Sequence, residues 1–218
     1  MSAEDTVPVA ARAGLRALYR AHPVFAGIEP RAGGLAWRRR PAGFAGLLQA
    51  IMGQQISNQA AGAIWRRLMV LPGALTPAGL LALDDEALRG AGLSRPKVAH
   101  SRSLAAAYVD GRLDDDVLAG LGDDAAVAAI SAVKGLGPWT AEVYLLFALG
   151  RMDVFPAGDL ALAAAWADLA GLAARPTTKA LREQSDAWAP WRSLAARLLW
   201  HHWRHVTGRP AMDDMPQT

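Results

Sequence analysis

Residues 131–140 read Ser131-Ala132-Val133-Lys134-Gly135-Leu136-Gly137-Pro138-Trp139-Thr140, and here a helical pattern ends, turns on two glycines and begins again at a proline. Glycine adopts positive φ and lets another backbone approach closely, and proline suits the first position of a helix. The second helix therefore presents amide N–H groups beside a turn without side-chain bulk, which favours phosphate binding. An ordinary tight turn between two packed helices is the alternative interpretation.

Asp159 is the candidate catalytic group. It follows Pro156-Ala157-Gly158 and begins another apolar helix. An aspartate at this place is commonly a helix cap. A carboxylate near a helix N-terminus is also stabilised in its ionised form, which suits the stabilisation of a cation better than the donation of a proton. The residues alone leave both interpretations open, a cap and a catalytic carboxylate.

Composition excludes several classes of site. The 218 residues suffice for one large domain or two closely associated lobes, and a hydrophobic content of 52% argues against disorder. The absence of cysteine excludes disulfides, iron–sulfur clusters and thiolate zinc sites. A net charge of +3 and a sequence pI of about 9.7 permit a nucleic-acid partner without requiring one.

The sequence contains no signal for a membrane or for export. Its N-terminus lacks a basic segment followed by an apolar run, which is the pattern of a signal peptide. No apolar run approaches the ~18 residues that a membrane-spanning helix needs. We therefore expect a cytoplasmic protein that is not secreted and has no membrane partner.

Hydrophobic periodicity predicts an all-α fold. Ala and Leu dominate, and no segment alternates apolar and polar residues as a half-buried strand does. Residues 22–41 have a looser pattern and are predicted to be mainly loop. After the hairpin, helices are expected at about 138–149, 159–170, 177–187 and 190–206. Helix caps are predicted at Ser57, Thr76, Asp84, Asp116 and Asp123 or Asp124.

Tryptophan and histidine supply further candidate site residues. Eight tryptophans are an unusual number, and most of them must belong to the core. Trp139 differs because it lies in the first turn after the hairpin, where an aromatic ring could stack on a base. His201 and His205 have the i, i+4 spacing of two zinc ligands, yet no third ligand is obvious and the chain has no thiolate. We therefore expect no zinc site.

Three separated motifs together resemble the helix-hairpin-helix DNA glycosylases, in the branch of 3-methyladenine DNA glycosylase II. They are Ile51-Met52-Gly53-Gln54-Gln55-Ile56-Ser57, residues 133–141 with their continuation through 154–159, and Trp188-Ala189-Pro190-Trp191-Arg192-Ser193-Leu194-Ala195. Their order and spacing make the resemblance specific, and it extends over residues 43–206.

The resemblance implies two helical lobes, with a helix-hairpin-helix motif and an active-site cleft between the lobes. One lobe would comprise residues 43–151 and contain the hairpin at 133–139. The other would comprise residues 1–42 plus 152–218. Some family members carry an N-terminal β-rich domain, and we expect none here because residues 9–19 are already predicted to be helical.

The resemblance also implies roles for individual residues. Asp159 matches the catalytic aspartate, which supports an oxocarbenium-like sugar and the attack of water at C1′. Trp139 and Trp200 match aromatic positions that line the pocket for the flipped base. Val143 lies where some members carry a pocket tyrosine. The adjacent Tyr144 is a further candidate for the base pocket, although its side chain should point elsewhere on the helix, which leaves the shape of the pocket open.

The resemblance implies contacts with DNA from two loops. Gln55 matches the position from which the family inserts a wedge residue into the duplex, and several members have leucine there; Gln54 and Ile56 flank it. The hairpin would bind a phosphate through Gly135, Gly137, Trp139 and Lys134. The carbonyl groups that match a monovalent-cation position, for Na⁺ or K⁺, are those of Ser131, Val133 and Leu136. No other cofactor is expected, and the family's iron–sulfur branch needs cysteines that this chain lacks.

The implied reaction is hydrolysis without strand cleavage. Glycosylases with lyase activity place a Schiff-base lysine just after the hairpin, and Trp139 occupies that position, while Lys134 precedes the turn. The resemblance thus implies a monofunctional enzyme of base excision repair that flips out alkylated purines of the 3-methyladenine and 7-methylguanine type. Its partner would be double-stranded DNA containing alkylated bases, and we expect a monomer associated with the bacterial nucleoid.

Two other functions fit parts of the sequence. A non-catalytic helix-hairpin-helix module would keep the phosphate contacts without turnover, although phosphate binding alone gives no reason for Asp159. An unrelated helical enzyme or a metal protein would use His201 and His205. The choice among 3-methyladenine, 7-methylguanine, hypoxanthine and etheno-adenine depends on pocket volume, which a sequence does not encode in a readable form.

Overall fold

The computed structural model describes residues 7–208, without the side chain of Asn58. Within this range the chain forms helices and connecting loops and has no strand, which confirms the predicted all-α fold. None of these helices is both long and apolar enough to cross a membrane. In chain order they are α1 (Val9–Ala21), α2 (Pro23–Ala26), α3 (Ile28–Ala32), α4 (Gly43–Gly53), α5 (Asn58–Met69), α6 (Pro77–Ala82), α7 (Asp85–Gly90), α8 (Arg95–Val109), α9 (Asp115–Gly120), α10 (Asp123–Ser131), α11 (Pro138–Phe147), α12 (Leu160–Leu169), α13 (Thr178–Asp186) and α14 (Arg192–Thr207).

The described chain divides into two compact units. One unit is continuous, Arg40–Leu149, and contains α4 to α11. The other combines residues 7–39 with residues 150–208 and contains α1 to α3 and α12 to α14. The chain therefore leaves the second unit after α3 and returns to it after α11.

Helix α4 is the core element of the continuous unit. Four of its apolar side chains, Leu47, Leu48, Ile51 and Met52, are completely buried. Their i, i+1, i+4, i+5 spacing gives a wide apolar stripe, and α4 packs with it against α5, α8 and α11. Helices α10 and α11 pack on each other, so that the predicted hairpin between them joins two elements of the same core. Burial of these side chains favours folding by roughly 1.5–3 kcal/mol each.

An aromatic cluster forms the core of the discontinuous unit. Trp188 is 1% exposed, and three aromatic rings surround it. Its ring centroid lies 5.0 Å from that of Trp166, 5.4 Å from that of Phe25 and 5.3 Å from that of Phe155. Edge-on aromatic contacts of this kind add roughly 0.5–1.5 kcal/mol each beyond the burial of their area. Three of the eight tryptophans, Trp37, Trp65 and Trp188, are buried and the other five are partly exposed, so the expectation that most of them belong to the core is wrong.

The predicted helix beginnings need two corrections. Ser57, Thr76 and Asp84 cap α5, α6 and α7 as expected. Helix α9, however, is capped by Asp114, whose Oδ1 accepts the amides of Asp116 and Val117, so Asp116 is not the cap. Helix α10 begins after Gly122, and its two aspartates lie in the first turn, where they complement the helix dipole.

The short helices α2 and α3 are another departure from expectation, because they lie within residues 22–41, where the looser sequence pattern predicts mainly loop. These helices have four and five residues, too short for a periodic pattern to be visible. Phe25 and Ile28 are completely buried, so tertiary packing determines their conformation.

Gly14 is predicted to be required where α1 packs on α14. A Cβ atom at this position would lie 2.6 Å from side-chain atoms of both Leu194 and Trp191. Gly14→Ala should therefore lower the free energy of unfolding by about 1–3 kcal/mol through overpacking. The matched control is Gly120→Ala in α9, where a Cβ atom meets nothing within 4 Å. Urea denaturation that finds equal or higher stability for Gly14→Ala would contradict this packing.

Candidate functional site

The glycine turn has the geometry that its sequence predicts. Helix α10 ends at Ser131 and α11 begins at Pro138 in the first helical position. Gly135 has a φ of +96°, which only glycine adopts without strain. Leu136 is 3% exposed and fills the inside of the turn, as expected. Lys134, Gly137 and Pro138 remain exposed on the outside.

The beginning of α11 is open to a ligand. Its N-cap residue is Gly137, in an extended conformation, and it brings no side chain to the helix N-terminus. Helices α5 to α9 differ, since a Ser, Thr or Asp side chain accepts their first amides. A helix N-terminus with the hairpin backbone beside it favours an anion such as a phosphate.

The predicted wedge loop lies beside this hairpin. Gln54 ends α4, and its side-chain Nε2 donates to the carbonyl oxygen of Gly135 at 2.9 Å. Gln55 is exposed and has a φ of 60°, and it is the one non-glycine residue with positive φ in the described chain. Ile56 is 37% exposed. A strained, exposed residue held by neighbouring structure is typical of a functional site.

Lys97 in the first turn of α8 holds the base of the same loop, and the sequence analysis missed it. Its side chain is buried, and Nζ donates to the carbonyl oxygens of Ile51, Met52 and Gln54 at 2.7, 2.8 and 3.0 Å. Burial lowers the pKa of this lysine from its ordinary value of 10.5. Its position in the sequence is the signal that could have identified it. A lysine in the first turn of a helix is disfavoured by the helix dipole, so its presence there indicates a specific contact.

His100, one turn further along α8, lies against the hairpin. A Cβ atom at Gly135 would overlap the imidazole ring, 2.2 Å from its Cγ. Residues three apart on a helix share a face. The same face of α8 therefore contacts the wedge loop through Lys97 and the hairpin through His100.

Asp159 lies in the discontinuous unit as the N-cap of α12. It is 7% exposed, and its Oδ1 accepts the amides of Ala161 and Leu162 at 2.8 and 3.0 Å. A tight turn precedes it, in which the Asp159 amide donates to the carbonyl oxygen of Pro156. These bonds fix the orientation of the carboxylate at the N-terminus of α12.

The third sequence motif holds the segment that leads to Asp159. Arg192 donates to both carboxylate oxygens of Asp153, each at 2.9 Å. The Ser193 hydroxyl accepts the amide of Val154 and donates to its carbonyl oxygen, both at 2.9 Å. A two-point arginine–carboxylate pair with these backbone bonds fixes direction as well as distance. The role of this motif in the structure is to anchor the approach to Asp159.

The predicted pocket aromatics differ in exposure. Trp139 on α11 and Trp200 on α14 are partly exposed, in different units. Tyr144 is 4% exposed, and its hydroxyl accepts the amide of Gly43 at 2.8 Å, at the start of α4. Burial raises the pKa of Tyr144 to about 12. These contacts make Tyr144 a core residue of the continuous unit, and its place in a base pocket stays a prediction.

Two metal predictions concern different places. At the hairpin, the hydroxyl of Ser131 is buried without a hydrogen-bond partner among the described residues, and the Val133 carbonyl accepts the amide of Leu136. A buried hydroxyl without a hydrogen-bond partner, next to the predicted carbonyl ligands, is compatible with a bound cation. At the other place, His201 Nε2 lies 2.8 Å from the carbonyl oxygen of Gly33. Within residues 7–208 no three His, Asp or Glu side chains cluster as metal ligands.

Known proteins resemble this chain in sequence and in structure. Residues 48–190 match the family described as HhH-GPD superfamily base excision DNA repair protein. DNA-3-methyladenine glycosylase 1 of Schizosaccharomyces pombe is 32% identical over 158 residues, covering 71% of this chain and 69% of that protein.

Two solved structures share the fold over most of their length. A DNA-3-methyladenine glycosidase from Bacillus halodurans has a TM-score of 0.81 at 31% identity, covering 89% of this chain and 91% of the other. The 3-methyladenine DNA glycosylase Mag1 of Schizosaccharomyces pombe, in complex with abasic DNA, has a TM-score of 0.75 at 27% identity. This match covers 88% of the present chain and 95% of the Mag1 chain.

The strain at Gln55 leads to a prediction about stability. A residue with a Cβ atom is destabilised by about 1–2 kcal/mol in the left-handed conformation, and glycine is not. Glycine loses more backbone entropy on folding, which is a smaller effect, so Gln55→Gly should raise the free energy of unfolding by up to about 1 kcal/mol. The neighbouring control, Gln54→Gly, loses the bond to Gly135 and should lower it. Chemical denaturation measures both, and a destabilised Gln55→Gly would contradict the strained conformation.

Proposed function

Because the chain belongs to the HhH-GPD superfamily of base excision DNA repair proteins, we propose that it is a monofunctional DNA glycosylase for alkylated purines. It binds double-stranded DNA, flips the damaged nucleotide out of the stack and hydrolyses its N-glycosidic bond. Relatives named DNA-3-methyladenine glycosylase support this substrate class. The observation that carries the chemistry is Asp159, a carboxylate fixed at a helix N-terminus.

Asp159 acts on the sugar. Alkylation places positive charge on the purine ring, so the base is already a good leaving group and needs little general acid. The remaining task is to stabilise the oxocarbenium-like sugar and to direct water to C1′. A carboxylate whose Oδ1 accepts two backbone amides at a helix N-terminus suits both tasks, because these hydrogen bonds fix its direction.

Stacking on indole rings selects the flipped base. A base has to leave the duplex before its glycosidic bond can be reached, and damaged bases leave at lower cost. Trp139 and Trp200 are partly exposed and supply electron-rich faces, on which a cationic purine binds through cation–π attraction. Tyr144 is the third residue proposed for the base pocket; it is buried, and its hydroxyl accepts the amide of Gly43 at the start of α4.

The hairpin and the wedge loop hold the DNA. The amides around Gly135 and Gly137 bind a backbone phosphate, with the exposed Lys134 beside them. A Na⁺ or K⁺ ion held by the carbonyls of Ser131, Val133 and Leu136 would add positive charge next to that phosphate. Gln55, flanked by Gln54 and Ile56, enters the gap left by the flipped nucleotide. The enzyme acts as a monomer on DNA in the cytoplasm.

The lysines support hydrolysis by water over lyase chemistry. The sequence has three lysines, at 97, 134 and 179. The Lys97 amine is engaged by three carbonyl oxygens, and Lys179 lies exposed on α13, 3.9 Å from Glu183. Trp139 occupies the position after the hairpin where a lyase has its Schiff-base lysine. A non-catalytic DNA-binding module is the second candidate function, favoured by the open N-terminus of α11.

Asp159→Asn should lower the rate at which methylated purine is released from alkylated duplex DNA by about 10²–10³-fold, because it removes the charge that stabilises the transition state. Asparagine still caps a helix, so stability should change little. Asp114→Asn is the matched control, because Asp114 and Asp159 each accept the backbone amides two and three residues ahead. It should keep full activity.

Single-turnover measurement of free base by mass spectrometry distinguishes these outcomes. Equal release by wild type and Asp159→Asn would exclude the catalytic role of Asp159. Binding of abasic-site DNA by the wild type without any release from a panel of alkylated substrates would favour the DNA-binding module.

The product DNA should retain an intact abasic site until alkali is added. Because water is the nucleophile, borohydride should trap no covalent complex between protein and DNA. Gel electrophoresis of product with and without alkali makes the first test, and denaturing gels after borohydride make the second. A trapped complex, or a strand break without alkali, would contradict the assignment of water as nucleophile.

A further inference from the structure

We propose that Lys97 is a positioning residue that holds the wedge loop Gln54–Ile56 in its DNA-inserting shape before DNA arrives. The proposal rests on the proposed function, since it assigns a structural cause to the insertion of Gln55. The observation behind it is the convergence of three backbone carbonyls at the end of α4 on one buried ammonium group.

The ammonium group is matched to its site. A lysine has three N–H donors, and Nζ uses them on Ile51, Met52 and Gln54 at distances between 2.7 and 3.0 Å. The last carbonyls of a helix carry its negative end and lack partners within the helix. A cation buried against them is therefore stabilised, and in turn it prevents α4 from continuing or fraying at the loop.

The loop so held is strained. Gln54 leaves α4 in an extended conformation, and Gln55 then turns to a φ of 60°. Such a conformation is strained for a residue with a Cβ atom and persists only where neighbouring contacts impose it. Lys97 supplies those contacts on one side, and the Gln54 side chain supplies one on the other, through Gly135.

Helix α8 thereby sets the distance between wedge and phosphate site. Lys97 contacts the loop, and His100 on the same face lies against Gly135 in the hairpin. Both DNA-contacting loops are fastened to one helix of the continuous unit. A wedge at a fixed distance from the phosphate site inserts at a fixed step along the duplex, and little conformational entropy is lost in the loop when DNA binds.

The test compares Lys97→Met with a matched variant, Arg102→Met. Methionine is unbranched like lysine and fills the same channel without donating hydrogen bonds. Arg102 performs a similar task elsewhere in α8, since it donates to the carbonyls of Leu81 and Leu83 at the end of α6 and pairs with Asp85. Both variants should lose stability, and only the change at Lys97 should affect the wedge.

The readout is the single-turnover excision rate on two duplexes, one with the alkylated purine paired and one with it in a single-nucleotide bulge. A bulged base is already unpaired, so it depends less on the wedge. Lys97→Met should slow excision from the paired site by about tenfold or more relative to the bulged site. Arg102→Met should leave that ratio as in the wild type. Equal ratios for the two variants, or equal slowing on both duplexes, would overturn the proposal.

A binding measurement keeps the proposal separate from the proposed function. The ratio of affinities for a duplex with an abasic-site analogue and for undamaged duplex needs no catalysis. Lys97→Met should lower this ratio and Arg102→Met should not, even if the wild type releases no base. If Lys97→Met does not fold, Lys97→Gln takes its place; its amide is uncharged and has two donors for the three carbonyls, so the ratio should still fall. An unchanged ratio in that folded variant would likewise reject the proposal.

Discussion

Three hydrogen bonds from the Lys97 ammonium to the end of α4 are the constraint on which the candidate DNA-contacting face depends. Hydrogen bonds to a charged group contribute roughly 1.5–3 kcal/mol each, so together they outweigh the strain at Gln55. Burying the ammonium group has a desolvation cost, which lowers the pKa of Lys97. Replacing the lysine by an apolar residue would thus remove both the penalty and the shape of the loop.

Asp159 in the other unit also combines a structural contact with a proposed function. The same carboxylate caps α12 through its Oδ1 and is the group proposed to act at the sugar. Capping fixes its orientation, while Arg192 and Ser193 anchor the backbone that precedes it. The third sequence motif therefore supports the backbone that leads to Asp159.

Local patterns allowed much of the fold to be predicted. Apolar periodicity gave the long helices, and the two glycines with Pro138 gave the hairpin, because both signals depend on neighbouring residues alone. Helices α2 and α3 escaped prediction because their conformation depends on burial of Phe25 and Ile28 against distant parts of the chain. Lys97 escaped for the same reason, since its partners lie more than forty residues earlier.

A crystal structure of the protein with a duplex containing an abasic-site analogue would test the central claim most directly. The claim is that wedge loop and hairpin are shaped before DNA binds. The account predicts that the backbones of residues 54–56 and 133–139 keep their conformation relative to α8, with Gln55 in the gap of the duplex and a phosphate at Gly137. A refolded loop with the bonds from Lys97 broken, or a gap filled by another segment, would contradict it.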